Sequence, residues 1–355
     1  MKLAIFGLTM SSAWGNGHAT LWRGLCRALH KRGSEVTFFE RDVPYYASHR
    51  DMPSAPWCDL RLYSDWPDVA GDARRALAEA DVAMVTSYCP DALGACDLIR
   101  NSRVPLKVFY DLDTPVTLSR LGNDEPIEYV PRDGLGEFDL VLSYTGGPAL
   151  EALRDRLGAR AVAPLYGSVD PECHRPASAQ ASRLAALSYL GTYSADRQVA
   201  LEQLFVEPAR RRPDLRFTLA GSQYPDDFPW VPNIFYLSHM PPRDHAGFFS
   251  SSLLTLNVTR GPMKAMGFCP SGRLFEAAAC GTALVSDWWE GLDEFFEPGR
   301  EILVATSAED VTSALDMDPA ARMDIARAAR ERTLDCHTAT HRAADLERLL
   351  GCQVM

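Results

Sequence analysis

Short apolar runs alternate along this chain with longer segments in which apolar residues return every three or four positions, the patterning of buried parallel strands joined by amphipathic helices. The first half carries such runs at 3–7 (LAIFG), 35–40 (EVTFFE), 82–88 (VAMVTSY), 106–111 (LKVFYD), 138–144 (FDLVLSY) and 161–167 (AVAPLYG). They predict the strands of one doubly wound sheet. Behind the first run, Leu21, Leu25 and Leu29 share one helix face and Gly33 suits a left-handed cap, so a helix is predicted there. The pattern breaks at 168–182 (SVDPECHRPASAQAS), rich in Pro, Ser and Ala, and then restarts. Runs at 186–191, 216–221, 233–238, 253–258, 283–287 and 301–305 predict a second sheet, with helices over LEQLFVEPARRR and RLFEAAACG and a helical tail from about 319. The expected organisation is α/β: a domain over 1–170, a second over 171–335, and a terminal helical segment, 336–355, packing back toward the first. Two doubly wound parallel sheets in tandem bind ligands at the carboxyl ends of their strands, so a shared cleft is expected there.

Composition narrows the function. A chain of 355 residues with 46% hydrophobic and 23% charged residues is a globular protein able to bury large cores. Its formal net charge of −11 argues against a nucleic-acid partner. No run is long and apolar enough to span a membrane, and MKLAIFGLTM lacks the form of a signal peptide, so a cytoplasmic protein is expected. Nine scattered cysteines without a CxxC pair fit reduced thiols. His337 and His341, at i and i+4, would share a helix face beside Cys336, but lack a further ligand nearby, so no metal is expected.

Candidate chemistry sits just after the strands. The compact GxGxxG turn is missing behind the first one, which disfavours a nicotinamide or flavin enzyme. Glu40, where a ribose acid would then sit, is expected to make a structural hydrogen bond instead. The long loop after Gly7 carries Trp14, Asn16, Gly17 and His18, with His18 opening a helix whose positive end favours a neutral imidazole. Asp111 and Asp113 end the fourth strand of the first half. Helix capping by Asp113 or Thr114 ahead of Pro115 is one use for them, and one carboxylate is expected to face ligand. In the second half, Gly191, Tyr193 and Arg197 follow a strand, in a turn suited to a diphosphate, although Asp196 offers Arg197 a neighbouring charge. Arg260, Lys264 and Arg273 gather cations around a helix start near Ser271, and Glu276 follows within that helix. Asp287, Trp288, Trp289, Glu290 and Gly291 supply polar and aromatic surface for a sugar.

Together these stretches resemble the CgeB-like glycosyltransferases of the GT-B superfamily. RLFEAAACGTALVSD, followed by EGLDEFFEPGREILVA, is similar to their carboxyl-terminal signature, and YLGTYSADRQ with FTLAGSQYP to the opening of their nucleotide domain. SSAWGNGHATLWRGLCRALHKRG and FFERDVPYYASHRD extend the likeness over nearly the whole chain. The resemblance implies a GT-B fold with an acceptor domain followed by a nucleotide-sugar domain, a UDP-sugar co-substrate and no other cofactor. It implies Glu276 on the donor ribose, Arg197 and Arg273 on the diphosphate, and His239 and Met240 near the base; beside these, Gly191, Tyr193, Arg260 and Gly291 are expected from their own positions to complete the donor side. His18 would be the base of an inverting transfer, with Asp113 as the other candidate; Trp14, Asn16, Gly17 and Asp111 would line the acceptor, expected to be small or soluble. Phe268 stands where many retaining enzymes carry a glutamate, eight positions before Glu276, so the stereochemical outcome stays open. A nucleotide-sugar epimerase and a non-catalytic sugar-nucleotide-binding protein are the alternatives.

Overall fold

A computed structural model describes residues 1–178 and 184–354. The chain forms two compact units, Met1–Gly167 with Ala339–Met355, and Ser168–Thr338. Residues 179–182 of the Pro/Ser/Ala-rich break lie outside the described residues.

The first unit is a seven-stranded parallel sheet. Its strands are β1 (Lys2–Gly7), β2 (Glu35–Arg41), β3 (Asp59–Tyr63), β4 (Val82–Thr86), β5 (Leu106–Asp111), β6 (Leu140–Ser143) and β7 (Val162–Pro164), in the order β3-β2-β1-β4-β5-β6-β7. The strand order reverses its march between β1 and β4, the switch point at which doubly wound sheets bind ligands. Side chains alternate across the sheet: Leu3, Ile5 and Phe38 enter one core layer, Ala4, Phe6 and Phe39 the other. The first layer is covered by the helix His18–Lys31 through Leu21, Trp22, Leu25 and Leu29, and by the terminal helix Ala339–Val354 through Ala343, Leu346 and Leu350. Gly33 ends the earlier helix at φ +87°. β3 was not legible in the apolar pattern. It is an edge strand, only Tyr63 of its five residues is buried, and Asp59 and Arg61 pair with each other at its rim.

The second unit repeats the plan with six strands: β8 (Ala185–Leu190), β9 (Phe217–Ala220), β10 (Ile234–Leu237), β11 (Ser252–Asn257), β12 (Ala283–Ser286) and β13 (Leu303–Val304). All pair in parallel, in the order β10-β9-β8-β11-β12-β13, so the switch point falls between β8 and β11. The core is built from Leu187, Phe205, Phe217, Leu256 and Val285. The helical tail is two helices rather than one, Pro319–Cys336 and Ala339–Val354. The break separates His337 from His341, so they do not share a helix face; His337 instead packs among Phe275, Phe295 and Phe296.

Candidate functional site

In the first unit, chemistry collects at the carboxyl ends of β1, β4 and β5. The loop after β1 is anchored by Glu40 at the end of β2. This carboxylate, 1% exposed, accepts from the Thr9 hydroxyl at 2.6 Å, the Met10 and Ser11 amides at 2.8 and 3.0 Å, and the Ser11 hydroxyl at 2.5 Å. It is thus a structural acceptor and no ribose acid. Arg23 adds a fork to Asp51 at 2.7 and 2.8 Å, and Asp51 in turn accepts from the Ala13 amide at 3.0 Å. The Trp14 ring lies flat on His49, centroids 3.9 Å apart. Asn16, buried, accepts from the His18 amide at 3.0 Å and so fixes the start of the helix. Gly17 is exposed with open space where a Cβ would sit; the glycine the turn requires is Gly15, at φ +60°.

His18 Nε2 comes within 4.0 Å of Asp113 Oδ2, both partly buried. Asp113 precedes the helix Thr114–Gly122, and its carbonyl rather than its carboxylate accepts from the Val116 and Thr117 amides. That leaves the carboxylate available to His18. Asp111 is different: it is fully buried and accepts from the Asp113 amide at 3.1 Å, so of the two it is Asp113 that reaches solvent. Tyr88, just after β4, was not singled out in the sequence. It stands at φ +63°, unusual for a bulky side chain, its hydroxyl is near enough to Asp113 to feel that charge, and its ring lies 6.0 Å from that of His18. Burial, then the Asp113 charge, holds its phenol above the ordinary range.

Burial also pushes the Asp111 carboxyl from 3.8 up to about 6, against the pull of hydrogen bonds from Thr117, the Asp113 amide and Ser87. The folded value lies above the unfolded one, so the stability this group contributes is complete below about pH 4 and lost as pH rises through about 6. Asp111→Asn should remove that slope and leave the protein more stable than wild type at neutral pH by up to ~3 kcal/mol. Urea unfolding at a series of pH values checks it; parallel profiles for the two proteins would contradict it.

In the second unit, the backbone after β8 turns at Gly191, and two guanidinium groups close over it. Arg273 Nη1 donates to Asn257 Oδ1 at 2.8 Å, its Nε donates to the Leu190 carbonyl, and the group lies 4.7 Å over the Tyr189 ring. Arg197 Nη1 donates to the Tyr189 hydroxyl at 2.9 Å. A Cβ on Gly191 would come within 2.6 Å of Arg273 Nη2 and 2.9 Å of the Tyr189 oxygen, so only glycine admits this stacking. Gly221 packs against the Gly191 carbonyl from below, at φ +148°. Among the described residues neither guanidinium is paired with a carboxylate, and Arg197 Nε is buried without a partner. Asp196 turns instead to Arg260 at 3.4 Å and to the Gly261 amide at 3.0 Å. Burial alone would raise the Tyr189 phenol, yet Arg197 and Arg273 bring it below its ordinary value; burial and the neighbouring Arg197 lower that of Arg273. Two buried cations thus stand side by side on neutral partners, their charge offset by no carboxylate among the described residues.

The remaining candidates lie around it. Glu276, on the helix Gly272–Ala279, is 8% exposed and lies 3.6 Å from His245 and 3.8 Å from His174. These three are the group of potential metal ligands found among the described residues. Neither histidine was legible, because each comes from a distant segment with no spacing to announce it. Met240 offers its carbonyl to His245 Nε2 at 3.2 Å, and His239 is partly buried beside it. Tyr193 packs edge-on against Tyr224, whose hydroxyl donates to the Gly191 carbonyl at 3.1 Å. Lys264 pairs with Asp287 at 3.1 Å. Gly291, at φ +84°, is explained by packing: the Phe268 ring fills the place of a Cβ. Trp288 is 39% exposed while Trp289 is core.

A family model described as "Glycosyl transferase-like" matches residues 197–348. No curated protein matches the chain. Among solved structures, a sucrose-phosphate synthase from Thermosynechococcus elongatus aligns with TM-score 0.69 at 15% identity, over 98% of this chain and 98% of that one. HepE from Anabaena, in complex with UDP-glucose, aligns with TM-score 0.65 at 12% identity over 99% and 100%. An alpha-glucosyltransferase in complex with UDP-glucose and DNA containing an abasic site aligns with TM-score 0.68 at 13% identity, over 99% of each chain. That protein is also seen with other DNA ligands, so the exclusion of nucleic-acid partners drawn from net charge does not hold. Counterion release depends on the cations lying along the phosphates, not on the sum over a whole surface. Among the described residues no helix is long and apolar enough to cross a membrane. At these identities the likeness is one of architecture: the chain has the GT-B fold, two Rossmann-like domains in tandem.

Proposed function

We propose that this protein is a glycosyltransferase of the CgeB-like kind, moving a sugar from a nucleoside-diphosphate donor to an acceptor hydroxyl. The observation that carries the reading is the pair of guanidinium groups over Gly191, cations held by Tyr189, Asn257 and a carbonyl, with no carboxylate among the described residues to neutralise them. A diphosphate supplies the missing charge, and Ser271 opens a helix whose amino end adds amide dipoles. Glu276 accepts from the ribose hydroxyls. The uracil base is supported by the UDP and UDP-glucose complexes of the same fold.

In the reaction, the bond from the anomeric carbon to the β-phosphate oxygen breaks and a bond to the acceptor oxygen forms. Arg197 and Arg273 stabilise the charge that develops on the departing diphosphate, the term that fixed donors supply most effectively. The acceptor proton goes to His18 in an inverting transfer, with Asp113 orienting the imidazole and stabilising the imidazolium. In a retaining transfer the departing phosphate takes it and His18 positions the acceptor. Trp14 and Asn16 then shape the acceptor side, while Asp111 supports Asp113 from beneath. The free thiols of the described cysteines suit a reducing, cytoplasmic setting.

Calorimetry with UDP, UMP and uridine tests the reading. UDP should bind at least about 100-fold more tightly than uridine, because both guanidinium groups address the diphosphate. Equal affinities would remove the donor site. NMR of UDP-glucose with enzyme and no acceptor should show an unchanged sugar; a changed configuration would make the protein an epimerase.

A further inference from the structure

His174 and His245 form a buried pair next to the carboxylate proposed above to hold the donor ribose. His174 comes from the segment that follows β7, His245 from the helix Pro242–Ser250, and they are 4% and 7% exposed. The geometry fixes one proton. His245 Nε2 lies 3.2 Å from the Met240 carbonyl, which only accepts, so that nitrogen carries hydrogen. In the neutral ring His245 Nδ1 then accepts, and His174 Nε2, 3.2 Å away, donates; Glu276 lies 3.6 Å from the first nitrogen and 3.8 Å from the second. The N–H edge on the carboxylate's side is therefore His174's, held in place by His245 Nδ1, and a buried carboxylate beside such an edge has a preferred orientation, whereas one among apolar neighbours would rotate or take up a proton. Burial lowers His174 below its ordinary value, which keeps that ring uncharged.

We infer that His174 and His245 are positioning residues for donor recognition: they set the Glu276 carboxylate for the ribose hydroxyls, and His245 ties that setting to the 239–240 segment through Met240. The inference rests on Glu276 as the ribose acid. It assigns a role to two side chains that make no contact with the reacting atoms, so their loss should act on donor affinity and KM while leaving kcat nearly unchanged.

The measurement is the ratio of affinities for UDP and 2′,3′-dideoxy-UDP, by calorimetry on the full chain. Wild type should prefer UDP by about tenfold to hundredfold, the range for hydrogen bonds to a charged group, and Glu276→Gln should collapse the ratio. A wild type without that preference would overturn the ribose role itself, separately from the pair. Two replacements then divide His245 by atom. His245→Asn places an amide oxygen near the former Nδ1, where it can accept from His174, and should keep most of the preference; His245→Gln places its amide near the former Nε2, keeps the Met240 tie and should lose it. The reverse order, or an unchanged ratio in both, overturns the proposal. Should those variants unfold, His174→Leu is read in the same way, an intact ratio counting against it. EDTA should leave the wild-type ratio unchanged. A ratio lost on chelation and restored by zinc would make the three side chains a metal centre and refute the hydrogen-bonded pair.

Discussion

His18→Ala should lower turnover by about 10²–10⁴-fold, the usual contribution of a positioned general base, while UDP affinity changes by less than about twofold because no donor contact is removed. The expectation comes from placement. His18 opens the helix His18–Lys31, its amide is held by Asn16, and its imidazole faces Asp113 at 4.0 Å, with the Tyr88 ring 6.0 Å away. The loop that presents it is fastened at Glu40 and Asp51, so the ring occupies a defined site. Asp113→Asn should give a smaller loss, since it leaves the base in place but removes the charge that orients it. Steady-state rates with a UDP-sugar and calorimetry with UDP separate the two quantities. Equal losses of rate and of UDP affinity would show that His18 acts on the donor or on the fold.

Arg273→Met should produce the largest loss of donor binding, about 100-fold in UDP affinity with a comparable fall in turnover. Methionine fills similar space but leaves Asn257 and the Leu190 carbonyl without their donor and removes half of the cationic pair. Gly191→Ala is the companion, because it deletes no charge. Its Cβ would meet Arg273 Nη2 at 2.6 Å and displace the guanidinium, costing about tenfold in UDP affinity. Uridine binding should be unaffected in both variants. Loss of uridine affinity to the same degree as UDP would show that the whole unit is disturbed, and the diphosphate role would fall.

Strands buried on both faces were plain in the sequence, because parallel strands between helix layers read as unbroken apolar runs. β3 was hidden because an edge strand with one solvated face mixes charge into so short a run. The cations of the second unit were also visible: Arg197 and Arg273 each follow or precede a glycine-bearing turn at a helix start. Their environment was not. Tyr189 and Asn257, which hold them, sit on β8 and β11 and meet only because those strands pair across the switch point. Local charge pairing misled for the same reason: Asp196 precedes Arg197 in sequence but is turned by the backbone toward Arg260. His174 and His245, separated by 71 positions, share no motif at all. Glu40 was readable as structural only by elimination, from the absence of the glycine turn a ribose acid would require.

Hydrogen exchange with and without saturating UDP tests the central claim most directly, because it reports which amides the nucleotide covers. Protection should appear in residues 190–198 and 271–277, where the Gly191 turn, Arg197 and the Ser271 helix start lie, and it should be lost in Arg273→Met. Protection confined to the loop between Gly7 and His18, or no protection anywhere at saturating UDP, would contradict a diphosphate held by the second unit.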